Sequence, residues 1–423
     1  MRRRDCLTAS VVAAASALQV AQPVRASGAN PLAGESLFAD VERYCAFGEQ
    51  RTGGLAHRQT TAWLEQRLQS TGCTTQTQPL QLNRYEPAEA LLRTEQGDIE
   101  GWPLWHPAPG PHFVRGPLRS SAGGGIRVLR LTADPRASVF PGSEHRALMQ
   151  NAATGGAQAV VAITPHDSGE VVALNALGGE MNWPLPVLCV GAAYGSRLQA
   201  LETQGTWVEL RLNGGLEPRA EAHNVVGRRS GAGRSIIVST PSSGWFRCGG
   251  ERGPGIAIWL ALAARASAHA PWQSPLCFVA TTGHELGALG MRQFLKEGAP
   301  PPAQVKAWLH LGAGFAVWAA RPRPVGMEAL GQVNPRRGMS APADMAELLQ
   351  TSFRDVDSFP VVTDRRIGET QLLAREGYRA FGPVGQSDWH HMRSDGPQAT
   401  GPALLAPVAA ALWSALVALD AQA

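Results

Sequence analysis

Several features are scarce in this 423-residue chain, and each absence narrows what the protein can be. Lysine occurs only at Lys296 and Lys306, so almost every cation is an arginine. The six cysteines form no Cys-x-x-Cys pair, which argues against a zinc site built from thiolates. After the first 26 residues, no segment is expected to be long and apolar enough to span a bilayer. We therefore expect a soluble protein without a thiolate metal centre.

The first 26 residues have the pattern of an export signal. Arginines at positions 2–4 precede a weakly apolar stretch rich in Ala and Val, and residues 24–26 fit a small-x-small cleavage site. Twin arginines before a mild apolar core favour the Tat route, and an ordinary Sec signal is the alternative. We expect cleavage after Ala26 and a periplasmic or secreted protein without a membrane anchor.

Most of the positive charge belongs to this signal. The whole chain has a formal net charge of +4. Residues 1–26 contain four arginines and one aspartate, a net of +3, which leaves +1 for residues 27–423. A nearly neutral chain gives no reason to expect nucleic acid as a partner.

Changes of pattern divide the rest of the chain into three parts. Residues 27–85 contain two amphipathic helices, joined by the loop FGEQRTGGLAHRQ, and a strand. Residues 86–220 contain strands, a helix and long loops with Gly and Pro. Residues 221–423 alternate strands and helices, which predicts an α/β fold with a mostly parallel sheet between helices. In such sheets, ligands bind beyond the carboxyl ends of the strands.

The same patterns give specific structural predictions. Strands at 235–240, 276–281 and 306–311 should be neighbours in the parallel sheet. The strand at 126–131 should lie outside that sheet, because residues 86–220 are expected to fold as a separate β-rich unit. A helix is predicted to open at Leu286.

Five cysteines follow the export signal. Cys45 and Cys73 flank the predicted helical hairpin and could form a disulfide in an oxidising compartment. Cys189 and Cys277 lie in apolar strands and are interpreted as small core residues.

The order of short motifs resembles that of the co-catalytic zinc aminopeptidase family. RTGG follows the first helix, HNVVG precedes a strand, and FVATTGHELGALG gives a strand, a polar turn and a helix. This family includes bacterial leucine aminopeptidases, glutamate carboxypeptidases, glutaminyl cyclases and the transferrin receptor. Its catalytic members hold two zinc ions with five ligands and use a glutamate base. The resemblance covers most of the chain and implies peptides or related small amides as ligands.

The segment 86–220 resembles a protease-associated domain, a β-rich insert of secreted exopeptidases. GGAQAVVAI and LPVLCVG occur in the order and spacing typical of that domain. The resemblance implies that this insert shapes or covers the substrate entrance and carries no chemistry. A generic α/β insert is the alternative.

Several ligand positions of the family carry residues that bind metals poorly. Where the family has His-x-Asp after a strand, this chain has Pro241 and Ser243. The family has another Asp after the strand that corresponds to residues 306–311, and this chain has Gly312 there. Proline and glycine offer no ligand atom, and a serine hydroxyl is a poor ligand. The comparison implies no zinc or a single zinc, and a normal two-zinc centre is not expected.

Other positions keep a carboxylate or a histidine. Glu251 lies near the position of the family's bridging Asp, and His284-Glu285 replaces a pair of glutamates, so that His284 stands at the base position. The run Ser-Asp-Trp, where the family has Ser-Asp-His, is followed by two histidines. The candidate metal ligands are Glu251, Glu285, His310, His390 and His391, and the candidate catalytic residues are His284 and Glu285. Loop residues around them are candidates for a substrate pocket: Ser242, Ser243, Trp245, Phe246, Arg252, Asp388 and Trp389.

Three interpretations remain open. A non-catalytic homologue would keep the fold to bind a peptide or small amide. A remodelled hydrolase would hold one metal with three of the remaining ligands. A metal-free hydrolase would use Ser242 or Cys248 as a nucleophile beside His284. Each residue also has a purely structural explanation, such as helix capping by His284 or core packing of His310.

Overall fold

A computed structural model describes residues 30–104, 111–132, 138–139, 143–176, 185–269, 271–323 and 326–422. The export signal predicted for residues 1–26 lies outside these ranges. From Pro31 onward the chain forms one compact unit.

The described part of the chain contains both helices and strands. The α-helices are α1 (Gly34–Ala46), α2 (Leu55–Gln69), α3 (Glu144–Thr154), α4 (Gly195–Thr203), α5 (Gly253–Ala268), α6 (Leu289–Glu297), α7 (Ala346–Ser352), α8 (Glu369–Arg375) and α9 (Pro402–Asp420). The strands are β1 (Thr74–Thr94), β2 (Gly97–Glu100), β3 (Trp102–Pro103), β4 (His112–Arg119), β5 (Ile126–Arg130), β6 (Ser138–Val139), β7 (Ala159–Thr164), β8 (Asn175–Ala176), β9 (Val187–Gly191), β10 (Trp207–Arg229), β11 (Ser235–Pro241), β12 (Leu276–Thr281), β13 (Val305–His310), β14 (Trp318–Pro322), β15 (Met327–Val333), β16 (Arg337–Ser340), β17 (Val361–Val362) and β18 (Ala380–Gly385).

The centre of the fold is a parallel group of strands covered by helices on both faces. β11 runs parallel to β12 on one side and to β13 on the other, and β13 runs parallel to β18. All residues of β11, β12 and β13 are buried, as their apolar composition requires. Helices α1, α5 and α9 pack in one apolar cluster against these strands, and α6 and α8 contribute to another. The predicted α/β architecture and the three neighbouring strands are confirmed.

The expectation that the strand at 126–131 lies outside this sheet is wrong. β10 is 23 residues long, and its two ends have different neighbours: residues 207–212 pair with β4 and residues 225–229 pair with β12. β4 pairs in turn with β5, so hydrogen-bonded strands connect β5 to β11 without a break. The change of pattern near residue 220 therefore marks a change of partner strands within one strand. The segment does contain an apolar cluster of its own, and its division into a separate domain stays a prediction.

Helix α9 corrects the expectation that no apolar segment of membrane-spanning length follows residue 26. It has 19 residues, and an 18-residue window within it has a mean hydropathy of 2.0, so by length and composition alone it could cross a membrane. Half of that segment is buried in the protein, and α9 packs against α1, α5 and α7. A helix that contacts the core on several sides is apolar around most of its circumference, and its composition then matches that of a spanning helix.

Two local expectations also differ from the structure. The helix predicted from Leu286 begins at Leu289, after a short 3₁₀ turn at His284–Leu286. Gly287 and Ala288 have φ values of 82° and 59°, and this left-handed backbone separates the two segments. The five described cysteines, including Cys45 and Cys73, are free buried thiols, so the disulfide considered between those two is not formed.

Candidate functional site

The candidate residues follow the carboxyl ends of three adjacent parallel strands. β11 ends at Pro241 and continues into Ser243, β12 ends at Thr281 and leads to Glu285, and β13 ends at His310. Because these strands are parallel neighbours, their carboxyl ends lie at the same edge of the sheet. The fold thus gathers side chains that lie far apart in the sequence.

A buried ion pair occupies part of this edge. Glu251 and Arg252 are 1% and 2% exposed, and Arg252 Nη2 lies 2.8 Å from Glu251 Oε1. Arg252 Nε also donates a hydrogen bond to the carbonyl oxygen of Ser243, at 3.0 Å. Although burial alone would raise the pKa of Glu251, the charges of Arg252 and His391 lower it well below its usual value. The pair is therefore a carboxylate and a guanidinium cation away from water.

Glu285 is a second buried carboxylate near this cation and is held by hydroxyl groups. Ser243 Oγ donates to Glu285 Oε2 at 2.8 Å and accepts a hydrogen bond from the backbone N–H of Gly283, also at 2.8 Å. The Thr52 hydroxyl donates to the other carboxylate oxygen. Burial alone would lower the pKa of Arg252, but the charges of Glu251 and Glu285 contribute to raising it. Arg252 is therefore a buried cation that is ion-paired with Glu251 and interacts favourably with the charge of Glu285.

The two adjacent histidines of the last loop lie beside Glu251. His391 Nδ1 donates to the carbonyl oxygen of Ala173 at 2.8 Å, and its Nε2 is 3.4 Å from Glu251 Oε1. The rings of His390 and His391 stack with centroids 3.8 Å apart, and burial lowers the pKa of His390 to about 3. One ligand atom each from Glu251, His390 and His391 lies within 4.8 Å of the others, so this group could hold a metal ion. Among the predicted ligands, Glu285 and His310 do not belong to it.

Cys248 and Asp395 form a second group with Glu251. Asp395 accepts hydrogen bonds from the backbone N–H groups of Gly250 and Glu251, at 2.7 and 3.1 Å, and burial raises its pKa to about 8. The Cys248 thiol donates to the carbonyl oxygen of Phe246 at 3.3 Å, and burial raises its pKa well above the usual value. A buried protonated thiol is a poor nucleophile, so the geometry does not favour Cys248 as a catalytic residue.

His284 and His310 meet at a carboxylate that the sequence analysis did not identify, Glu369. Glu369 Oε1 lies 3.1 Å from His284 Nδ1, and Oε2 lies 3.1 Å from His310 Nε2. Burial alone would raise the pKa of Glu369, but the two histidines lower it to about 2. Glu369 is the first residue of α8, where a negative charge interacts favourably with the helix dipole. The sequence offered little to single out Glu369: a Glu that follows a Gly at the start of a helix is common on protein surfaces.

The tautomer of His310 follows from its neighbours. The Glu369 carboxylate faces His310 Nε2 at 3.1 Å, which favours the neutral tautomer with its proton on Nε2. His310 Nδ1 then accepts from the Ser239 hydroxyl, 3.0 Å away, and Ser239 Oγ accepts from the Trp308 indole N–H at 2.8 Å. Burial lowers the pKa of His310 to about 4 in spite of the nearby carboxylate. At neutral pH, Glu369 is ionised and His310 is neutral.

Ser242 contacts a different histidine, His57, which the sequence analysis also missed. His57 Nδ1 accepts from the backbone N–H of Gly53, so the Nε2 proton points towards Ser242 Oγ, 3.1 Å away. Ser242 Oγ donates to the carbonyl oxygen of Thr281 at 3.0 Å. Burial lowers the pKa of His57 to about 3. A base must accept the proton of its nucleophile, and here the imidazole donates instead, so the contact is not a Ser-His catalytic pair.

The aromatic residues proposed to line a pocket are packed inside the protein. Trp245, Phe246 and Trp389 are at most 1% exposed, and they belong to apolar clusters. Asp388 is ion-paired with Arg336 near the surface. None of these residues lines either of two cavities in the described part of the chain, which have volumes of about 450 and 710 Å³.

Comparisons with known proteins identify the fold. No protein-family model matches this sequence, and no curated protein sequence matches it. The structure is similar to a zinc aminopeptidase from Bacillus subtilis, with a TM-score of 0.70 and 14% identity over 92% of this chain and 96% of the other. It is also similar to an aminopeptidase from Aneurinibacillus sp. strain AM-1, with a TM-score of 0.65 and 16% identity over 90% of this chain and 93% of the other. A third similar structure is a peptidase M28 precursor from Shewanella amazonensis, with a TM-score of 0.67 and 14% identity over 93% of this chain and 97% of the other. The zinc-exopeptidase fold predicted from the motifs is confirmed.

Proposed function

We propose that this chain is a peptide- or amide-binding protein with a zinc-exopeptidase fold that does not perform two-zinc hydrolysis. The observation that carries this proposal is the buried Arg252 guanidinium, ion-paired with Glu251 and close to Glu285. In the family that the motifs resemble, carboxylates at these two positions bind zinc. A fixed cation paired with Glu251 repels a divalent cation and already neutralises the charge that would attract it.

The remaining ligand positions support the same conclusion. Pro241 has no ligand atom, and the Ser243 hydroxyl donates a hydrogen bond to Glu285. At Gly312 a Cβ atom would lie 2.9 Å from the carbonyl oxygen of Pro383, so an aspartate would not fit there without movement of the backbone. The residues present do not fit a two-zinc centre, and we derive no hydrolytic step through one.

One observation favours a second candidate, a hydrolase with a single metal. His391 donates its Nδ1 proton to a backbone carbonyl and directs Nε2 towards Glu251, which is the usual orientation of a metal-binding histidine. Glu251, His390 and His391 would hold the metal. Arg252 would first have to release Glu251, and this competition makes the candidate the weaker of the two.

The pattern of residues 1–26 supports export, and we propose a periplasmic or secreted location. The nearly neutral charge of residues 27–423 supports small ligands over nucleic acid. The burial of half of α9 supports a protein without a membrane anchor.

A test of this function combines binding with turnover. Purified protein, with and without a chelator, is titrated with small peptides in a calorimeter and assayed for hydrolysis of leucyl-anilide. We expect binding that the chelator does not change, and no hydrolysis above the buffer rate. Hydrolysis that the chelator abolishes and one equivalent of zinc restores would favour the single-metal candidate.

A further inference from the structure

A cavity of about 450 Å³ lies beside the last loop of the candidate site. Its walls come from the end of β2, the loop after β7, the end of β9 with the residues that follow it, and the loop at positions 393–394. The volume falls within the range of roughly 300–1,000 Å³ that is typical of small-molecule sites. Neither Glu251 nor Arg252 lines it, so the cavity is separate from the buried ion pair.

Two polar atoms in this wall lack a protein partner. Glu170 Oε1 and Ser394 Oγ are buried atoms without a hydrogen bond to any described residue. A buried carboxylate oxygen without a hydrogen bond is unfavourable, because it has lost its contacts with water and has gained none in return. A ligand that donates an N–H to Glu170 would remove this cost.

A positively charged side chain also lines the cavity. Arg393 lines it, with its guanidinium carbon 5.3 Å from the ring centre of Trp102 and 5.7 Å from that of Phe246. Both rings are buried, so they form a rigid surface under the guanidinium. No carboxylate of the described residues forms an ion pair with Arg393, and a carboxylate on a ligand would supply one.

We propose that this cavity binds a small zwitterion with an ammonium and a carboxylate group, such as a free amino acid or a dipeptide. Glu170 accepts hydrogen bonds from the ammonium group, and Arg393 with Ser394 holds the carboxylate. The assignment rests on the binding role proposed above, to which it adds a site and a ligand class.

The cavity is connected to the candidate site through the backbone. Ala173, close after the cavity residue Glu170, donates its N–H to the carbonyl oxygen of His391 at 3.0 Å and accepts from His391 Nδ1 at 2.8 Å. A ligand held by Glu170 and Arg393 therefore lies between the two segments that position His391.

The first experiment uses the metal-free full chain and isothermal titration calorimetry. The probes are the twenty free amino acids and alanyl-alanine, followed by the N-acetyl and the carboxamide derivatives of the tightest binder. We expect each derivative to bind about tenfold or more weakly, because each lacks one of the two charged groups. Absence of binding by every probe, or full affinity of the N-acetyl derivative, would contradict the assignment.

The second experiment compares matched variants. Glu170→Gln and Arg393→Met should each lower the affinity for the tightest-binding probe about tenfold or more. Near-ultraviolet circular dichroism checks that the fold is intact. The controls are Glu347→Gln and Arg354→Met, which change the same residue types at exposed positions outside the cavity, and they should bind like the unmodified protein. Equal affinity in all four variants would place the ligand elsewhere, sinking this assignment and leaving the binding role intact. Two-zinc hydrolysis would instead contradict the proposed function.

Discussion

The strand ends hold two charge clusters of opposite design. In one, the cation Arg252 is ion-paired with the carboxylate Glu251 and interacts with the charge of a second carboxylate, Glu285. In the other, the anion Glu369 lies between the imidazoles of His284 and His310. Both clusters compensate a buried charge, which is tolerated only when neighbouring groups of opposite or complementary character surround it. In this protein, other side chains supply that compensation at the carboxyl ends of the parallel strands.

The two clusters differ in their access to solvent. The side chain of Arg252 is 2% exposed, whereas that of His284 is 25% exposed. The first cluster is therefore expected to act in stability and in excluding metal. The second can meet a ligand or solvent through His284, with His310 and Glu369 fixed behind it.

The largest effect is expected from breaking the first cluster. Arg252→Met leaves two carboxylates without their cation in a buried site, and we expect a loss of about 3–5 kcal/mol in the free energy of unfolding. Urea denaturation measures it, with exposed Arg354→Met as the control that should change stability by less than about 0.5 kcal/mol.

A double variant shows whether the loss comes from the ion pair. Glu251→Gln combined with Arg252→Met should recover part of the stability, because the double variant buries neither charge of the pair. If Arg252→Met alone is as stable as the unmodified protein, the description of Arg252 as the compensating cation is wrong.

Acid should weaken the second cluster through His310. Its pKa is lowered to about 4 by burial, so the unfolded chain binds a proton at higher pH than the folded protein does. Stability should then fall as pH drops from about 6.5 to 4, by about 1.4 kcal/mol per pH unit. Urea denaturation across this range should show a shallower slope for His310→Asn, and an unchanged slope would contradict a buried neutral imidazole.

Glu369 contributes to the pH dependence of stability at lower pH than His310 does. Its pKa is lowered to about 2 by the two histidines, so its stabilisation is present above about 4.5 and disappears as pH falls towards 2. Glu369→Gln should lower stability by about 1–3 kcal/mol at pH 7. The difference from the unmodified protein should narrow in acid, and a difference that widens there would contradict the assigned charge.

The smallest effect is expected at Ser243, which holds Glu285 within the first cluster. Ser243→Ala removes one hydrogen bond to a carboxylate that keeps a second donor in Thr52, and it should cost about 1–3 kcal/mol, at the low end of that range. Thermal unfolding followed by circular dichroism would detect it, and Ser352→Ala at the end of α7 is a matched control.

The sequence was sufficient for the elements that carry strong local patterns. The apolar stretches of β11, β12 and β13 predicted that these strands are neighbours in one sheet, because buried parallel strands have continuous apolar sequences. The long strand β10 was not predictable as one element, since its two ends pair with different strands and its composition changes between them.

The partners of the candidate residues were harder to predict. Glu369 and His57 lie far along the chain from the residues they contact, on helices where a single Glu or His has no distinctive spacing. Arg252 was expected among the residues of a substrate pocket, and its burial in an ion pair was not predictable, because no pattern reveals that a charged side chain will be buried. Trp245, Phe246 and Trp389 were expected around a pocket, and they pack in apolar clusters instead.

Zinc stoichiometry tests the central claim most directly. The purified chain and Arg252→Met are incubated with excess zinc, dialysed and analysed for metal, with leucyl-anilide hydrolysis measured on the same samples. We predict fewer than two equivalents in the unmodified protein, and more zinc in Arg252→Met than in the unmodified protein, because the competing cation is gone. Two equivalents in the unmodified protein, with hydrolysis that a chelator abolishes, would contradict the claim that Arg252 takes the place of metal.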